Sequence, residues 1–171
     1  MAVTPGTENL TMNIETKAKF LREEYVPLLS SLNQDAERRW GKMNVQQMIE
    51  HMADSVRIAN GRDPHDLVTP EEHVQKMQAF LMSEKPFKEN TPNKLLRDEP
   101  PPPRHNNIQA SLQELQDEIN HFFEVFQDNP SKTQMNPFFG ALNFDMWVQL
   151  LHKHAWHHLR QFGVEEQLSV T

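Results

Sequence analysis

Two imidazoles four residues apart, His154 and His158, stand in the run His-Ala-Trp-His-His-Leu-Arg-Gln-Phe-Gly that covers residues 154–163. On a helix this spacing projects both rings from one face, one turn apart. Two nitrogens presented in that way chelate one transition metal when a third ligand arrives from elsewhere in the fold. A lone histidine in an earlier amphipathic segment, His51, is a candidate for that place. The constellation points to metal chemistry and leaves the substrate open.

Each histidine also has a plainer reading. On the last helix the inward stripe is Trp147, Leu151, His154, His158 and Phe162, so both paired histidines fall on the core side. Buried imidazoles need partners, and hydrogen bonds to carboxylates or water would serve as well as a shared metal. His51 lies roughly 100° from the centre of its own apolar stripe, where it could face a neighbouring helix or stay partly exposed. His152 and His157 fall off the stripe and are expected at the surface, with His157 able to line a pocket at the helix boundary. His65, His73, His105 and His121 have no partner spacing and read as solvated.

Helices must position these residues, because helical spacing recurs along the chain while alternating β-branched runs are missing. A first segment, about Ile14 to Leu32, puts Ile14, Ala18, Leu21, Tyr25, Leu28 and Leu32 on one face, with Pro27 predicting a kink or break. The second opens at Asn44 as N-cap, with Gln47 completing a capping box, and closes at Gly61 in left-handed conformation. Its stripe is Val45, Met48, Ile49, Met52, Val56 and Ala59. Thr69 and Pro70 predict the N-cap and first position of a short helix reaching about Met82. Residues 83–107 are a long connection that carries Pro100 to Pro103 and excludes a helix there. A third long helix runs from about Ile108 to Gln127. Asn136-Pro137-Phe138-Phe139-Gly140 then makes a turn that packs its aromatic pair on the bundle end. The last helix starts at Asn143 and ends at Gly163. The expected fold is all-α: a four-helix bundle with one long crossover between the second and third long helices.

Composition narrows the function. The 171 residues suit one domain, read here as 1–164 with a short polar tail at 165–171. Cysteine is absent, which excludes disulfides and thiolate ligands, so a metal site must use histidine and carboxylates. The net charge is −7 with no basic stripe, which argues against nucleic acid as a partner. Residues 1–10 lack the apolar core of a secretory signal, and no apolar run approaches the roughly 20 residues that span a bilayer. A soluble cytoplasmic protein with no membrane partner is expected.

Trp40-Gly41-Lys42-Met43-Asn44, followed by Gln47-Met48 and His51, resembles the second-helix signature of the DinB/YfiT-like superfamily. The run from His154 through His157-His158 to Gln161 resembles its fourth-helix motif. With Asn136-Pro137-Phe138-Phe139-Gly140 before the last helix, the chain is most similar to a DinB-related bacterial family of unknown function, over roughly Trp40 to Gly163. The resemblance implies a bundle in which His51, His154 and His158 bind a divalent transition metal, often zinc or nickel. It also implies relatives of several kinds: transferases that use small thiols, a thiol-dependent isomerase, and proteins labelled hydrolases. Where many relatives have an arginine-glycine pair after the paired histidines, this chain has Leu159-Arg160, so no substrate is carried over.

Three neutral ligands would leave such a metal with net positive charge and an open position. A water there falls to a pKa of roughly 7, and a thiol is deprotonated. The expected activity is thus hydrolysis, or transfer of a small electrophile to a low-molecular-weight thiol cosubstrate, since the chain has no thiol of its own. Gln47 and Asp54, one turn either side of His51, and Gln161, three residues beyond His158, are the candidates to orient the ligands. No residue stands out as general base. The competing expectations are a non-catalytic module that binds a ligand or metal, and a structural bundle with a vestigial site. A homodimer is plausible by analogy with other bundles.

Overall fold

Five helices and one short hairpin make up the computed structural model, which describes residues 13–89 and 99–166. The readings made above for residues 1–10, for the connection at 90–98 and for the tail from 167 lie outside the described residues. In chain order the elements are α1 (13–30), α2 (Val45–Ala59), α3 (Glu71–Met82), α4 (Ile108–Asp128), β1 (Gln134–Asn136), β2 (Gly140–Leu142) and α5 (Phe144–Gln161). The four long helices α1, α2, α4 and α5 form the bundle, and α3 lies in the crossover between α2 and α4. Both α1 and α2 pack on α4 and α5, so they stand on opposite sides; α3 rests against α5.

Pro27 does not break α1. The helix widens instead into a π-helical turn over Phe20–Glu24 and resumes as α-helix over Tyr25–Ser30. Proline offers no N–H, and its ring crowds the carbonyl four residues back, at Glu23. A widened turn relieves that crowding. The extra residue per turn rotates the chain beyond it, so Leu29 is buried where even spacing predicted Leu28.

The ends of α2 follow the sequence. Asn44 Oδ1 accepts from the Gln47 N–H at 2.8 Å, and Gln47 Oε1 accepts from the Asn44 N–H at 2.8 Å. All six residues of its expected stripe are buried. With the rotation of α2 fixed in this way, His51 is carried on the flank that meets α5. At α5, Asn143 caps the Met146 N–H at 3.0 Å, and Gly163, at φ +86°, ends the helix. Large side chains from all four long helices, among them Tyr25, Met48, Phe122 and Trp147, are almost fully buried. Each contributes about 1.5–3 kcal/mol of transfer free energy.

Two local expectations change. The short helix α3 begins at Glu71 with Pro70 as N-cap, one residue later than Thr69 predicts, and no side chain caps it. Residues 134–142 form an antiparallel hairpin, with Asn136 paired to Gly140 around Pro137-Phe138-Phe139. Asn136 Oδ1 accepts from the N–H groups of Phe138 and Phe139 at 2.8 and 3.0 Å, which closes the turn without β-branched residues. Gly140 completes it at φ +84°, where a Cβ would meet Val74 Cγ1 at 2.8 Å. Phe139 is buried and Phe138 packs against the core, as expected of the aromatic pair. Among the described residues no helix is long and apolar enough to cross a membrane.

Candidate metal centre

The helix α2 brings His51 to the face of α5 that carries His154 and His158, and the three Nε2 atoms converge. His154 Nε2 lies 3.1 Å from His51 Nε2 and 2.9 Å from His158 Nε2, and one nitrogen from each residue falls within 4.8 Å of the others. The rings of His51 and His158 stand nearly perpendicular, with centroids 5.0 Å apart. His158 is buried, and His51 and His154 keep partial exposure as whole residues, although burial dominates the surroundings of all three imidazoles.

Hydrogen bonding orients one ring unambiguously. The Gln161 amide N–H donates to the Trp40 carbonyl at 2.9 Å, which turns Gln161 Oε1 toward His158 Nδ1, 2.7 Å away. An amide oxygen only accepts, so His158 carries its proton on Nδ1 and directs an Nε2 lone pair at the other two histidines. One hydrogen on His154 Nε2 cannot serve both of its close nitrogen contacts well. A cation at the meeting point satisfies all three lone pairs. Metal–nitrogen bonds of about 2.0–2.1 Å at tetrahedral angles would set the nitrogens about 3.3 Å apart, close to the two separations from His154 Nε2. The three-histidine group could therefore hold a metal ion.

Electrostatics agree with that donor set. Burial, and secondarily His157, lowers the pKa of His51 to about 4. Burial, then the neighbouring histidines, holds His154 and His158 well below the ordinary imidazole value. All three are thus neutral at pH 7, as ligation requires.

Of the residues expected to orient the ligands, Gln161 reaches one, and the other two are engaged elsewhere. Gln47 serves the capping box and donates from Nε2 to the Pro101 carbonyl at 2.9 Å. Asp54 pairs with Arg104 at 3.1 Å, and burial raises its pKa against the pull of that arginine. Together they pin the proline-bearing segment across α2, one turn either side of His51. Buried Glu50 adds to this, accepting from the Arg104 backbone N–H at 2.7 Å and from Ser111 Oγ at 2.8 Å.

The remaining histidines, His73 apart, are less solvated than their spacing suggested. His152 and His157 are half-buried, and burial lowers each to about 4. His157 packs at a tilt against Trp40 at 5.3 Å and edge-on against His158 at 5.0 Å, and His152 packs edge-on against Phe20. His65 and His105 are half-buried with carboxylate partners Asp63 and Glu114, each at 3.1 Å. His121 is half-buried near Glu124, and His73 is exposed.

Sequence reasoning missed Phe87, whose ring lies edge-on to His154 and His157 at 6.2 and 5.9 Å, and the buried cation Lys153 beneath it. Neither falls in a recognisable motif; a lysine next to His154 on a largely buried helix was the available signal.

No curated protein and no solved structure matches the chain. A family model, described as the DinB superfamily, matches residues 18–162, a span that contains α2, α4, α5, most of α1 and all three histidines. The chain belongs to the DinB superfamily.

Proposed function

We propose that this protein is a metal-dependent enzyme that holds a divalent transition ion, zinc or nickel, at His51, His154 and His158. It would use the ion to transfer a small electrophile to a low-molecular-weight thiol, or to hydrolyse it. The observation that carries the reading is the convergence of three neutral imidazoles with one lone pair fixed by Gln161. A bound ion supplies Lewis acidity that lowers the pKa of a coordinating thiol or water. The chain's own residues do the rest. His158, held by Gln161, keeps its ring fixed, and a substrate would reach the ion past the less buried residues His51 and His154. Absence of cysteine assigns any reacting thiol to a second substrate.

The test is metal content of tag-free protein by mass spectrometry, for wild type and for His51→Ala and His154→Ala. About one ion per chain, lost in both folded variants, supports the site. Turnover of a small electrophile, with and without a panel of thiols, then separates an enzyme from a binding module. Wild-type protein that refuses added zinc and nickel overturns the reading.

A further inference from the structure

Three polar side chains are buried at the bundle side of one turn: Lys17 on α1, and Gln149 and Lys153 on α5, at 6, 4 and 7% exposure. Lys153 Nζ donates to the Ser83 carbonyl at 2.8 Å and also to the Lys85 carbonyl. Gln149 Nε2 donates to the same Ser83 oxygen at 3.2 Å. Lys17 Nζ donates to Gln149 Oε1 at 2.8 Å and to the Glu84 carboxylate at 3.1 Å. Burying two ammonium groups is costly even when their donors are met. An ordinary surface turn needs no such anchor. What this turn does is deliver Phe87.

The Phe87 ring is wedged in place. Phe80 and Phe139 back it at 5.9 and 6.4 Å, and Lys153 Nζ lies 6.0 Å from its centroid. Its other neighbours are His154 and His157. His154 is one of the three converging histidines, so Phe87, edge-on to its ring, stands beside the metal position.

We propose that Phe87 is a specificity-determining wall of the metal site, positioned by the Lys17–Gln149–Lys153 clamp, which admits slender ligands and rejects those branched next to the coordinating atom. This rests on the metal reading above. A rigid wall discriminates by girth, because the branched group must displace a ring that the clamp holds still. Lys153 acts through Phe87 and is a positioning residue.

The experiment loads the full chain with cobalt(II) and titrates it with ethanethiol and with 2-methyl-2-propanethiol, following the thiolate-to-cobalt absorption. Wild type is expected to bind the branched thiol roughly tenfold or more weakly than the linear one. Phe87→Ala should cut that ratio to about threefold or less, with cobalt stoichiometry unchanged. Lys153→Met should move the ratio the same way, also with cobalt retained, and a folded Lys153→Met at the wild-type ratio would overturn the clamp. Cobalt uptake with no discrimination by wild type, or with an unchanged ratio in Phe87→Ala, overturns the wall while leaving the metal reading intact. A wild type that takes up no cobalt overturns both.

Discussion

Gln161 Oε1 lies 2.7 Å from His158 Nδ1, and this contact sets the direction of the bonds around it. The amide is anchored at its other end by the Trp40 carbonyl, so it cannot flip without losing that bond. The His158 tautomer is therefore fixed from the loop before α2. Gln161→Leu keeps the bulk and removes both bonds. Its affinity for zinc, measured by competition with a chromogenic chelator, is expected to fall about 10–100-fold while the helical content stays. Unchanged affinity would show that His158 needs no support.

Gly41 presses on the same amide. Its φ is +76°, and a Cβ built on it would stand 2.8 Å from Gln161 Nε2. Gly41→Ala is expected to cost about 1–2 kcal/mol through its left-handed backbone and to weaken zinc binding in parallel with Gln161→Leu. Because both act through one amide, the effects of the two changes on affinity should combine to less than their sum. Full additivity in the double variant would sever the link between Gly41 and the site.

Acid should loosen the metal-free protein in a particular window. His51 and His157 titrate at about 4 in the folded chain, and His154 and His158 also lie well below the ordinary value. The unfolded chain binds these protons near pH 6.5. Folded-state values are depressed, so the stability these groups contribute is present above pH 6.5 and is lost as pH falls toward 4. Each adds a slope approaching ~1.4 kcal/mol per pH unit inside that window. Urea midpoints of chelator-treated protein should be flat above pH 7 and fall between 6.5 and 5, before ordinary carboxylates titrate. A flat curve there would mean the histidines are charged or solvated when folded.

The caps of α2 and α5, the core stripe of α2 and the pairing of His154 with His158 were legible because they are set by neighbours within one helix. Spacing alone left His51 open, since its azimuth places it on a flank and only the packing of α2 on α5 decides what that flank meets; the resemblance of the run from Trp40 to His51 is what pointed to it. The same limit hid Lys153 and Gln149. Their partners are backbone carbonyls of Ser83 and Lys85, which spacing cannot pair with a side chain 70 residues away. Gln47 and Asp54 sat at the right helical distance from His51, yet the proline-bearing segment claims both. The hairpin at 134–142 escaped because its register comes from Asn136 and Gly140 rather than from strand-forming residues.

Tyr25 has a buried hydroxyl with no hydrogen-bond partner among the described residues, on a side chain only 1% exposed. Burial alone drives its pKa far above the ordinary phenol value. An unmet buried hydroxyl costs about 1–3 kcal/mol, while the ring itself stacks on Phe20 at 5.7 Å. Tyr25→Phe keeps the ring and is expected to leave stability unchanged or raise it by about 1 kcal/mol in urea unfolding. A loss of that size would reveal a partner for the hydroxyl.

Glu50 and Glu99 test how the proline-bearing segment is held. Glu50 is 5% exposed and accepts from the Arg104 backbone and the Ser111 hydroxyl, with the Arg104 guanidinium 3.9 Å away. Ser111 is fully buried, so without Glu50 its hydroxyl donates only across the longer contact to the Asn107 carbonyl, at 3.4 Å, away from water. Arg104 retains Glu114 and Asp54, which limits the damage on the charged side. Glu50→Ala is therefore expected to cost roughly 2–4 kcal/mol and to speed limited proteolysis within 99–107. Glu99 pairs with Lys42 at 2.8 Å, but its side chain is 80% exposed, and water screens the pair. Glu99→Ala should change stability by about 0–1 kcal/mol. Equal costs in urea unfolding would mean that the surface pair, and not the buried carboxylate, anchors the segment beside His51.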